Sequence, residues 1–98
     1  MKQVNLNGQD MTSQVFLHQY LKINLALPYY YGMNLDALYD VLSVYDQKFL
    51  IVLTHAQTLI DHLGDYGQSL IEVFEDVNLA NPNIQFILVG DGALKEQY

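Results

Sequence analysis

Residues 49–53 read Phe-Leu-Ile-Val-Leu (FLIVL), five apolar residues with no polar one among them. A run this short suits a strand better than a helix. Lacking polar alternation, it predicts a central parallel strand covered on both faces. Upstream, Val4 and Leu6 alternate with polar neighbours at period two, the pattern of a half-buried strand. Downstream, Ile84–Val89 (IQFILV) is nearly as apolar and ends at Gly90.

Helical patterns fill the intervals. Leu17, Leu21 and Leu25 recur every fourth residue, with Thr12 or Ser13 before them as a cap. Asn34 is placed to cap a second helix that carries Leu35, Leu38 and Leu42 on one face. Leu59, Ile60 and Leu63 predict a short third helix, with Thr54 as its cap. Leu70, Val73, Phe74 and Val77 form an i, i+3, i+4, i+7 stripe for a fourth helix, with Asp65 as its cap. Asn81-Pro82-Asn83 reads as a turn. Strands separated by helical crossovers pair in parallel, with right-handed connections. With the most apolar strand in the middle, the order is 1-2-3. The expectation is an α/β fold with a three-stranded parallel sheet, about four helices, and one domain over residues 1–90. The tail Asp91–Tyr98 has little to pack and is expected to fray.

Ninety-eight residues suffice for one modest core. Cysteine is absent, which excludes disulfides and thiolate metal sites. The N-terminal residues lack a signal-type apolar core, and no apolar run approaches the ~20 residues of a membrane span. A cytoplasmic protein is expected. Eleven acids against four lysines, with no arginine, leave a net charge of -7. Such a surface repels nucleic acid and anionic membranes and attracts basic partners. With so few cations in the chain, many of the acids must face water or another molecule.

The segment Leu25–Leu42, LALPYYYGMNLDALYDVL, concentrates the chemistry. On a helical wheel, Leu35, Leu38, Val41 and Leu42 cover one side, while Asp36 and Asp40 fall one turn apart on the other. Tyr39 stands at the border. Like charges at i, i+4 cost an isolated helix about 0.2–0.5 kcal/mol. The helix N-terminus offsets this for Asp36 but not for Asp40. No lysine lies three or four residues from either acid, so nothing local explains the pair. Tyr29, Tyr30 and Tyr31 precede the helix and Tyr45 follows it. Tyrosine gives large contact area and a hydroxyl suited to wet interfaces. Tyr20 and Tyr66 are the first candidates for the blander role of half-buried core residues with hydroxyls reaching water. Glu72, Glu75 and Asp76 form a second acidic face, most simply a solvated one.

ALPYYYGMNLDALYDVL resembles the signature of the barstar family: a proline, paired tyrosines, a glycine, Asn-Leu-Asp-Ala-Leu, an aromatic and Asp. A weaker resemblance covers residues 3–89. It includes Asn7-Gly8, His18, the first-helix leucines and Ser69–Phe74. The resemblance implies a two-layer fold and a non-catalytic inhibitor of a secreted, basic, barnase-like ribonuclease. Such an inhibitor lays its second helix and adjoining loop into the enzyme's active-site cleft. By that similarity Tyr30 packs on the enzyme, and Asn34, Leu35 and Asp36 line the helix start. Tyr39 stands at a family tryptophan, and Asp40 enters the phosphate pocket. Asp76 stands at a glutamate that reaches an outlying arginine. Tyr45 replaces a second tryptophan, Val44 a glycine and Met33 an acid. Ala80 or Asn81 falls where another glutamate contributes. The central acids are kept while the rim is altered.

The implied partner is a basic extracellular ribonuclease, with no direct nucleic-acid or membrane binding and a monomeric free protein. The altered rim motivates an alternative, an interaction or immunity module of the same fold for another basic toxin or a regulatory partner. An enzyme fits less well. Asp36 and Asp40 alone supply too few ligands for magnesium, and no phosphate loop is present. His18, His55 and His62 form no triad with a visible nucleophile and read as ordinary surface or core-edge residues. No metal, cofactor or catalytic residue is expected.

Overall fold

The computed structural model describes residues 1–90; the tail expected to fray, 91–98, lies outside the described residues. Three parallel strands, β1 (Lys2–Asn7), β2 (Phe49–Thr54) and β3 (Ile84–Leu88), form a sheet in the order β1-β2-β3. A 3-10 turn at Gly8–Asp10 leads to α1 (Gln14–Asn24) and α2 (Leu35–Ser43). After β2 come α3 (Ala56–Leu63) and α4 (Asp65–Ala80). Element order, strand order and helix number match the sequence reading.

Register explains where the core sits. Val4 pairs with Ile51, Leu6 with Leu53, Phe49 with Ile84, and Ile51 with Phe86. Paired residues of a parallel sheet share a face, so these side chains form one apolar layer. All but the half-buried Phe86 are buried, together with Leu17 and Leu21 of α1, Leu38 and Leu42 of α2, and Leu70, Phe74 and Val77 of α4. The opposite face corrects the expectation for FLIVL. Leu50 and Val52 are only half-buried, and Gln3, Asn5, Gln85 and Ile87 beside them in register are exposed. β2 is buried on one face and only partly shielded on the other. Its continuous apolar run reflects its central position between two strands, not cover on both sides.

Two expected caps are corrected and two hold. Ser13 accepts from the Phe16 amide at 3.1 Å and Asn34 from the Ala37 amide at 2.7 Å, so each caps its helix. Thr54 does not cap α3. It remains the last residue of β2, and its hydroxyl donates to the Leu6 carbonyl at 3.3 Å. The capping position falls to His55, held left-handed at φ 55° with no side-chain cap bond. Asp65 does not cap α4 either, because the helix has already begun there. Gly64, at φ 58°, makes the joint between α3 and α4, a conformation glycine adopts without steric cost.

Candidate functional site

The approach to α2 is built from short-range bonds. Tyr31 N–H donates to the Pro28 carbonyl at 3.0 Å, closing a turn through the tyrosine run. The Asn34 amide donates to the Gly32 carbonyl at 3.2 Å while its oxygen caps the helix. The three tyrosines then separate by environment. Tyr31 is buried, whereas Tyr29 and Tyr30 are exposed and meet edge to face at 5.5 Å.

Along α2, Leu38 and Leu42 turn into the core. Leu35, Ala37 and Val41 flank them, half-buried, and Asp36, Tyr39 and Asp40 face outward. Among the described residues, neither carboxylate has a hydrogen-bond or ion-pair partner. The acids therefore carry no structural debt within the described fold.

Three open hollows surround this helix, and Asp40 lines all of them. The first, about 460 Å³, lies among Asn34, Leu35, Asp36, Ala37, Asp40 and Tyr66. The second, about 530 Å³, joins Leu35, Asp36, Tyr39 and Asp40 to Val73 and Asp76 of α4. The third runs from Asp40 and Val41 to Pro28, Tyr30, Val44 and Tyr45. All nine residues singled out from the sequence (Tyr30, Asn34, Leu35, Asp36, Tyr39, Asp40, Val44, Tyr45 and Asp76) thus border one continuous surface.

Their environments differ. Val44 is 79% exposed at φ −115°, so the β-branched residue sits at a helix end in an ordinary backbone region. Tyr45 is half-buried, and its one hydroxyl proton is shared between the carbonyls of Leu25 and Ala26, at 3.0 and 3.1 Å. Burial, and to a lesser degree Tyr30, pushes its phenol up from the ordinary range. Tyr45 therefore anchors the end of α1 and offers the surface its ring rather than its hydroxyl. Asn81 does not stand at the rim. It is buried, and its amide donates to the Leu42 carbonyl at 2.8 Å and the Tyr45 carbonyl at 3.0 Å.

Sequence reasoning missed a polar cluster beneath α2. His18 is buried, with Nδ1 at 2.7 Å from the Tyr31 hydroxyl and Nε2 at 2.6 Å from that of Tyr66. It is neither a surface nor a core-edge residue. Burial lowers its pKa and raises those of both tyrosines, so all three groups stay neutral near pH 7. Tyr66 is half-buried as expected, but its hydroxyl meets His18. That of Tyr20 accepts from the Asn7 amide at 2.9 Å. A signal for Tyr66 was present: it lies four residues before Leu70 and extends the apolar stripe of α4 by a turn.

No group of three or more potential metal ligands occurs among the described residues. None of their helices is long and apolar enough to cross a membrane.

Residues 1–90 match the family profile described as Barstar (barnase inhibitor). The chain belongs to the barstar family. It is also similar to a protein of Bacillus subtilis (strain 168) named "Putative ribonuclease inhibitor YrdF". The two are 35% identical over 77 residues, covering 78% of this chain and 85% of the relative. The matched barstar region contains every residue of the α2 surface.

Proposed function

We propose that this barstar-family chain is a non-catalytic inhibitor that binds and blocks the active site of a basic, secreted, barnase-like ribonuclease. The observation that carries this reading is the pair Asp36 and Asp40, exposed one helical turn apart and without partners among the described residues. A ribonuclease must hold phosphate with preorganised cationic groups. Carboxylates on a rigid helix offer those groups the same charge and can take bidentate arginine contacts. Tyr30 and Tyr39 flank the acids with aromatic area, and Asp76 extends the negative surface onto α4. The net charge of -7 favours encounter with a basic enzyme. The family profile and the ribonuclease-inhibitor name of the Bacillus relative support the same reading. Free protein is proposed to be a cytoplasmic monomer that acts on protein and not on RNA.

Titration into barnase, with RNA cleavage as readout, tests this. Cleavage should fall to background near one equivalent. Inhibition by Asp40→Ala equal to that of the parent would show that phosphate mimicry is not the mechanism.

A further inference from the structure

The His18 cluster is a chain of bonds with a direction. The Tyr31 hydroxyl donates to the Asn34 carbonyl at 3.4 Å. With its one proton turned to that carbonyl, the phenol accepts from His18, an assignment that places the imidazole hydrogen on Nδ1. Nε2 of the neutral ring is left as an acceptor, and the Tyr66 hydroxyl donates to it. The order is Tyr66 to His18 to Tyr31 to Asn34, linking the first turn of α4, the middle of α1 and the residue that caps α2. The Asn34 carbonyl at the end of this chain also accepts from the Leu38 amide at 3.0 Å, the first intrahelical bond of α2. Tyr66 lines the same hollow as Asp36 and Asp40.

We propose that His18 and Tyr66 are positioning residues for the acidic surface of α2, acting through this one-way relay to fix the helix start that presents Asp36 and Asp40. The inference rests on the inhibitor reading for its functional consequence, but not for the relay itself. Tyr66 touches both the relay and the hollow. His18 does not line the hollow and acts only through the two phenols. Directional bonding of a buried ring matters because a reversed or missing donor leaves a buried nitrogen unsatisfied.

Tyr66→Phe removes the first donor and keeps the ring. Ring nitrogen NMR should show Nδ1 protonated and Nε2 bare in the parent, and a changed Nε2 signal in the variant. Amide exchange at Ala37 and Leu38 should rise several-fold. With barnase as probe, Tyr66→Phe should weaken inhibition about ten-fold, and a double-mutant cycle with Asp36→Ala should be non-additive. A parent ring protonated at Nε2 would overturn the relay, as would unchanged exchange in the variant. If the parent inhibits barnase and Tyr66→Phe inhibits equally, the positioning role fails while the inhibitor reading stands. If the parent does not inhibit barnase, the inhibitor reading fails for that enzyme, and the ring spectrum and amide exchange still decide the relay.

Discussion

The side-chain amide of Asn81 reaches back 39 residues to donate to the carbonyl of Leu42, at 2.8 Å and out of contact with water. Leu42 stands in the last turn of α2, where carbonyls lack intrahelical partners. Asn81 sits just past the end of α4. One buried side chain therefore ties the ends of both helices together. A second bond, to the Tyr45 carbonyl, holds the loop that carries Val44 and Tyr45. α2 is thus fixed at its start by Asn34 and at its end by Asn81.

Asn81→Ala removes both donors and leaves the Leu42 carbonyl with the long bond from the Tyr45 N–H at 3.3 Å, whereas the Tyr45 carbonyl keeps a bond from Asn83. The expected loss is about 1–3 kcal/mol, read by urea denaturation. Asn81→Asp should be worse at neutral pH, because a carboxylate cannot donate to either carbonyl, and should recover partly in acid. Equal stability of the two variants at pH 7 would contradict the assigned donor roles.

Helix α1 ends with a left-handed alanine. Ala26 has φ 52°, Leu27 N–H donates to the Lys22 carbonyl at 3.0 Å, and Ala26 N–H to that of Ile23 at 3.4 Å. This is the Schellman pattern with alanine where glycine is usual. Relief of Cβ strain in Ala26→Gly exceeds the entropy it returns to the unfolded chain, so a gain of about 0.5–1 kcal/mol is expected. The denaturation midpoint should rise with an unchanged slope.

Gly8 permits a close approach of backbone segments. A Cβ there would collide with the His55 carbonyl oxygen and lie 3.0 Å from Leu59 Cβ. His55 is itself held left-handed between β2 and α3, so it has little freedom to retreat. Gly8→Ala should cost about 3 kcal/mol, the upper end of overpacking losses. A thermal midpoint within a degree of the parent would show that the turn relaxes freely.

Much of this architecture was legible because it follows from local periodicity. FLIVL marked the centre of the sheet, and Asn34 and Ser13 marked helix starts through their own short side chains. Features that depend on distant partners were not legible. Asn81 reads as a turn residue until Leu42 is seen beside it, and His18 reads as ordinary until Tyr31 and Tyr66 close over it. The caps of α3 and α4 failed for a different reason. Thr54 is retained by the sheet, and the chain reverses through left-handed His55 and Gly64 rather than through a capping side chain. Asp36, Tyr39 and Asp40 were readable as an outward face because a wheel places them opposite buried Leu38 and Leu42.

Burial of His18 also sets a pH dependence. Its folded pKa lies below the ordinary value near 6.5, because burial disfavours the imidazolium. The phenols of Tyr31 and Tyr66 are the titratable groups bonded to the ring; Asp65 adjoins Tyr66 in sequence, and Asp36 and Asp40 share a hollow with it. Between the folded pKa and about 6.5 the unfolded chain binds the extra proton, so this contribution to stability is complete above that range and lost as pH falls through it. His18→Gln should flatten the slope of unfolding free energy between pH 7 and pH 5. The same slope in parent and variant would assign the dependence to other groups.

Asp40 and Asp76 should differ in what they contribute to inhibition. Asp40 borders all three hollows of the α2 surface, while Asp76 borders only the second, from α4. A carboxylate enclosed by a partner's cations leaves them buried and unpaired when removed, a loss of about 3–5 kcal/mol. A rim pair that stays wet contributes about 0–1 kcal/mol. Asp40→Ala should therefore weaken inhibition of barnase by two orders of magnitude or more, chiefly through faster dissociation. Asp76→Ala should weaken it less than ten-fold, chiefly through slower association that salt abolishes. Stopped-flow association at low and high salt, with the two variants side by side, separates these contributions. Equal losses, or a larger loss for Asp76→Ala, would move the centre of the contact from α2 to α4.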